Sequence, residues 1–204
     1  MIRDDDDSVA HHFRRSARVL QSAADDAALH ATIEKIAAAV EYALRGGKKL
    51  LLAGNGGSAA DAQHIAAEFV SRFKFNRDPL PAIALTTDTS TLTAIGNDYG
   101  FEHVFARQLR GLGQRGDVFV AISTSGRSPN ILAALRTARE MGIAAVGFTG
   151  SHDNPMRSLC DVCLAAPTEE TALIQQIHIV AAHAICGLVE ARLFKESAAP
   201  AAAR

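Results

Sequence analysis

The chain has 204 residues, 48% hydrophobic and 21% charged, with a formal net charge of −1 at pH 7. That suits one packed domain with arms, and the charge argues against an extensive nucleic-acid surface. No uninterrupted run of about 18 apolar residues occurs, and the first 30 residues are charged and broken rather than signal-like. The sequence therefore predicts no membrane span and a cytoplasmic protein.

Asp4–Asp7 is a like-charge run, expected to be solvated and mobile. From 8 to 45, apolar residues recur at helical spacing: Val9, Phe13, Ala17, Val19 and Leu20, then Leu29, Ile33, Ile36, Val40 and Leu44. This predicts two helices broken near Asp25–Asp26, with Gly46–Gly47 as the stop. The rhythm then changes. Five short apolar runs, Lys49–Ala53, Ala82–Thr86, Asp117–Ser123, Ala144–Thr149 and Asp161–Ala165, suit buried strands. Helical stretches are expected at 58–72, 88–96, 101–111, 129–141 and 169–194. Strands that alternate with helices and lack a polar face predict an α/β fold. The expected architecture is a three-layer αβα sandwich around a five-stranded parallel sheet. The expected division is a helical arm at 1–45, one domain at 46–195 and a disordered tail at 196–204. Cys160, Cys163 and Cys186 form no disulfide framework, and Cys160-Asp-Val-Cys163 has no second pair to complete a zinc site. Buried, reduced strand cysteines are expected at 160 and 163.

In open parallel sheets a ligand sits beyond the carboxyl ends of the strands. The loop after the third strand reads Ser123-Thr124-Ser125-Gly126-Arg127-Ser128, followed by Pro129. One helix cap needs one hydroxyl and four are present, so a phosphate cradle is expected over an ordinary capped turn. Ser128 is the expected cap. After the first strand comes Gly54-Asn55-Gly56-Gly57-Ser58, with Ser58 as the expected helix cap and Asp61 completing a capping box. No Gly-Lys-Ser/Thr follows, so it is not a nucleoside-triphosphate loop.

His64 and Glu68 are four apart and share a helix face, where they could meet one ion or form a plain surface pair. The last helical stretch carries Gln175, Gln176, His178 and His183 among apolar neighbours. Gln175 and His183 are separated by ~12 Å of helix rise. They meet one ion only if it lies between them or if different subunits contribute. His178 is read as a core histidine with its polar groups satisfied.

Together "GNGGSAADAQHIAAEFVSRF", "LPAIALTTDTSTLTAIGNDYGFEHVFARQ", "GDVFVAISTSGRSPNI" and "IQQIHIVAAHAICGLVE" resemble the sugar isomerase (SIS) domain family over roughly residues 10–195. The resemblance is to the branch that converts sedoheptulose 7-phosphate to an aldoheptose 7-phosphate for bacterial surface polysaccharide. It implies a homotetramer with active sites between subunits and one zinc ion per subunit. Asn55, Gly56 and Gly57 match the substrate loop, Asn97 and Asp98 a second substrate contact, and Arg72 a polar site residue. Ser123, Thr124, Ser125 and Ser128 match the phosphate cradle. His64, Glu68, Gln175 and His183 match the zinc ligands, with Gln175 also near substrate and Glu68 and His183 the base and acid. Gln176 and Ala172 depart from the pattern, where relatives often carry Glu and some carry Asp. Two other functions fit the same fold: a non-enzymatic SIS partner of the replication initiator, and a sugar-phosphate-sensing module. Both lack the pairing of Glu68 with His183 that this sequence retains.

Overall fold

The computed structural model describes residues 8–194; Asp4–Asp7 and the tail from 196 lie outside them. Two helices come first, α1 (Val9–Ala24) and α2 (Ala27–Arg45). The break falls where expected, because Asp26 accepts from the N–H groups of Ala28 and Leu29 and so restarts the helix. The remaining elements are β1 (Leu50–Gly54), α3 (Gly57–Val70), β2 (Ala82–Ala84), α4 (Thr89–Tyr99), α5 (Val104–Leu112), β3 (Val118–Ile122), α6 (Pro129–Met141), β4 (Ala144–Thr149), β5 (Val162–Ala165) and α7 (Thr171–Phe194). The helix expected at 101–111 is split: Phe101–His103 is a 3-10 turn, set off from α4 by Gly100 at φ 91.

All five strands pair in parallel, in the order β2-β1-β3-β4-β5. Every residue of β1 and β3 is buried, which explains why these runs lack polar alternation. Alternate residues of the strands feed two apolar layers. Leu50, Leu52, Val118 and Val120 join one with α2, α3 and α7. Leu51, Phe119 and Ala121 join the other with α5 and α6. Leu29, Ile36 and Val40 of α2 sit in the first layer, so the second helix is part of the core. By contrast Val9 and Phe13 of α1 are 75% and 69% exposed, leaving an apolar face uncovered in a single chain.

One expectation stands despite the helix that tests it, and one needs correction. By length and composition α7 could cross a membrane, because its few polar residues do not lower its mean hydropathy enough. Half of that stretch is buried, with Ile174, Ile177, Ala181, Ile185 and Val189 packed into the core. The two neighbouring cysteines are free but only partly buried, and Cys160 precedes β5 instead of lying in it.

Candidate functional site

Helices α3 and α7 run side by side in the same direction. A Cβ on Gly57 would meet the Gln175 amide at 2.5 Å, and two turns further on His64 faces His183. Gly57 therefore lets the start of α3 approach Gln175 closely.

At the second level three donors converge. His64 Nε2 lies 3.0 Å from Glu68 Oε1 and 3.3 Å from His183 Nε2. Ligand atoms of all three residues lie within 4.8 Å of one another. Two imidazole nitrogens facing each other at this distance repel unless a proton or a cation lies between their lone pairs. Two imidazoles and one carboxylate also suit a tetrahedral divalent ion such as zinc. The donor set therefore fits a metal. Gln175 lies two turns away against Gly57, as the helix rise dictates.

The loop before α3 departs from its expected capping. The helix begins at Gly57, with Gly56 at φ 56 in the cap position and no side-chain cap. The Ser58 N–H is already taken by the Asn55 carbonyl at 3.0 Å, which places Ser58 inside the helix, where it is buried. Asp61 therefore completes no capping box. Its Oδ2 is buried without a partner, and burial pushes the carboxyl up, against the pull of His64. Asn55 is held by Asn130 through two reciprocal amide bonds, of 3.0 and 2.8 Å.

Ser128 does precede α6, with Pro129 as its first residue, but its hydroxyl caps nothing. It pairs instead with Ser123 Oγ at 3.1 Å. Ser123 Oγ also accepts from Gly126 N, and Ser125 Oγ accepts from Arg127 N. The hydroxyls are thus gathered at the start of α6, where the positive end of the helix dipole favours an anion, although Pro129 has no N–H and that of Ile131 is taken by Asn130 Oδ1 at 2.9 Å. Thr124 lies in the same turn, with its carbonyl accepting from Gly150 N. A cleft of about 480 Å³ joins this turn to the first loop, lined by Asn55, Ser128, Asn130, Phe101 and Glu102 among others.

Asn97 and Asp98 are exposed near the end of α4, bonded to each other at 2.8 Å, and precede the Gly100–Phe101 edge of that cleft. Arg72 is exposed just beyond α3. His178 is the core histidine expected on one side only. Nε2 bonds the Thr149 carbonyl at 3.1 Å, while the buried Nδ1 has no partner.

Sequence reasoning missed Asn130, Phe73 and the buried Arg77–Glu190 pair. Phe73 stacks on His183, with ring centroids 5.5 Å apart. The Arg77 and Glu190 side chains are 2% and 1% exposed. A signal for the last was present: a glutamate in the apolar run of α7 needs a partner.

The SIS domain family model matches residues 11–150. A phosphoheptose isomerase from Bradyrhizobium sp. (strain ORS 278) is 60% identical over 192 residues, 94% of this chain and 97% of that protein. The chain belongs to the phosphoheptose isomerases of the SIS domain family. Solved phosphoheptose isomerases superpose on about nine tenths of it. GmhA from Neisseria gonorrhoeae is 44% identical with a TM-score of 0.84, covering 90% of this chain and 97% of its own. The Francisella tularensis protein is 35% identical with a TM-score of 0.85, covering 89% and 95%. The His64–Glu68–His183 cluster thus lies in a chain matched to phosphoheptose isomerases along nearly its whole length.

Proposed function

We propose that this SIS chain isomerises sedoheptulose 7-phosphate to D-glycero-D-manno-heptose 7-phosphate, the first step of heptose supply for lipopolysaccharide or capsule. The observation that carries the reading is one carboxylate and two imidazoles brought together in a chain 60% identical to a phosphoheptose isomerase. A ketose–aldose isomerisation moves a proton from C1 to C2 through an enediol. It needs a base beside the carbons and an acid beside the oxygens.

Glu68 turns Oε1 towards His64, and among the described residues Oε2 has no hydrogen bond. We assign that oxygen the proton from C1 and its return to C2. His183 would exchange the proton at the substrate oxygens. Ser123, Thr124, Ser125 and Ser128 would grip the phosphate, with the positive end of the α6 dipole. Asn55, Gly56, Gly57, Asn97, Asp98, Arg72 and Gln175 are proposed to contact the sugar. His64, Glu68 and His183 would hold one zinc ion per subunit; Gln175, two turns away against Gly57, would complete the set only from a neighbouring subunit. When bound, zinc would offset negative charge on the substrate oxygens.

The uncovered apolar residues of α1 support a homotetramer with sites shared between subunits, α1 packing against neighbours while α2 stays in the chain's own core. Light scattering checks this, and a stable monomer at micromolar concentration would count against it. A cytoplasmic location completes the proposal, and cell fractionation tests it. Incubation with sedoheptulose 7-phosphate, followed by NMR of the product, tests the activity itself. Full recovery of unchanged ketose by the zinc-loaded protein would sink it.

A further inference from the structure

A metal-binding histidine is ordinarily aimed by a hydrogen bond to its other ring nitrogen. Among the described residues none reaches Nδ1 of His183; its one hydrogen bond runs from Nε2 to His64. What confines the ring is its face. The phenyl ring of Phe73 lies over it with an interplanar angle of 28°. The His64 ring meets the same imidazole edge-on, at 5.1 Å and 65°.

Phe73 is itself held unusually firmly for a residue just past a helix end. Its N–H donates to Glu190 Oε1 at 3.0 Å, and those of Lys74 and Phe75 donate to Oε2 at 2.6 and 3.2 Å. Arg77 Nε adds a fourth bond to the same carboxylate at 2.9 Å. Burial would raise the Glu190 carboxyl, but these donors outweigh it and hold the group below its ordinary value. Glu190 stands seven residues after His183, two turns along the same face of α7. The other arm of Arg77 reaches the last turn of α3, with Nη2 donating to the Glu68 carbonyl and Nη1 to that of Phe69, both at 2.8 Å. One ion pair therefore ties the backbone of Glu68 to the helix of His183, and the turn between them carries the ring that covers His183. A buried ion pair is weak evidence for stability alone, because desolvation offsets much of the attraction. Its geometry here fixes a distance between two helices.

We infer that Phe73 is a positioning residue for His183, clamped in place by Arg77 and Glu190. It sets the aim of Nε2 towards His64 and Glu68. The inference rests on the isomerase reading for its catalytic consequence, but the positioning can be read without turnover.

The test compares Phe73→Leu with Phe73→Tyr in the full chain. In Phe73→Leu, zinc affinity by competition with a chromophoric chelator and kcat should each fall about 10–100-fold, with KM for sedoheptulose 7-phosphate little changed. Phe73→Tyr should restore both. Glu190→Gln, which loosens the turn, should shift zinc affinity in the same direction. By NMR, the carbon-bound ring protons of His183, shielded by the Phe73 ring, should move downfield in the metal-free Phe73→Leu protein and stay in Phe73→Tyr. A folded Phe73→Leu protein with wild-type zinc affinity and kcat, or with unmoved His183 resonances, would overturn the inference. A wild-type protein without isomerase activity would refute the proposed function alone, and the His183 resonances would still decide the positioning.

Discussion

The Nε2 atoms of His64 and His183 face each other at 3.3 Å across 119 residues of sequence. Both nitrogens aim at the same point, with Glu68 Oε1 beside them. Either a proton shared between the two nitrogens or a cation satisfies this arrangement, and the added carboxylate suits the cation. Zinc at about 100 times its dissociation constant should raise the unfolding free energy by about 2.7 kcal/mol, since only the folded chain brings the donors together. His64→Ala should abolish that increment. Denaturant unfolding with and without zinc measures it, and a wild-type chain indifferent to zinc would remove the metal from the site.

Glu68→Gln keeps the shape of the side chain and removes its basicity. Turnover should fall by about 10²–10⁴-fold while the fold persists. Excess zinc separates the two roles of the residue. If zinc fills the site and activity stays lost, with no solvent deuterium entering C2 of the product, Glu68 is the base. If zinc restores most activity, Glu68 serves as a ligand only.

Ser123→Ala and Ser125→Ala should each weaken substrate binding by about 1.5–3 kcal/mol, the worth of a hydroxyl bonded to a charged group. The effect should appear in KM and in competition by inorganic phosphate, with kcat less affected. Unaltered affinity in both variants would place the phosphate elsewhere.

His178 gives the fold an acid sensitivity. Burial pushes its imidazole down to about 4, against the bond to the Thr149 carbonyl. The unfolded chain takes up a proton near 6.5 that the folded chain refuses until about 4. Stability should therefore drop as pH falls through this window, by roughly 3 kcal/mol in all at 1.36 kcal/mol per unit. His178→Asn, which keeps a donor for Thr149 but cannot titrate there, should flatten the slope. Urea midpoints at pH 7 and pH 5 for both proteins decide it.

The sheet was legible because a strand buried on both faces must read as a continuous apolar run, as Leu50–Ala53 and Val118–Ile122 do. The pairing of His64 with Glu68 was legible from helix period. That His183 joins them was expected only through family resemblance, because no local rule reports which helices lie side by side. The Ser58 and Ser128 caps were misread for a related reason. Capping rules assign a hydroxyl to the nearest free N–H, whereas Ser128 turns to Ser123 across the loop and Ser58 falls inside a helix that already starts at Gly57. Phe73 was invisible because an aromatic residue after a helix looks like ordinary core filling until its neighbour is known.

The order of donors along the chain has a consequence for how the protein matures. His64 and Glu68 leave the ribosome early, as an i,i+4 pair on one helix, while His183 and Glu190 follow all five strands. A half-made chain offers two ligands without the third, and without the clamp that holds Phe73 over it. On the proposed metal site, capture of the ion would coincide with completion of the fold. An ion taken up during synthesis would be held loosely enough to exchange, and the site would select its metal only after the last helix docks.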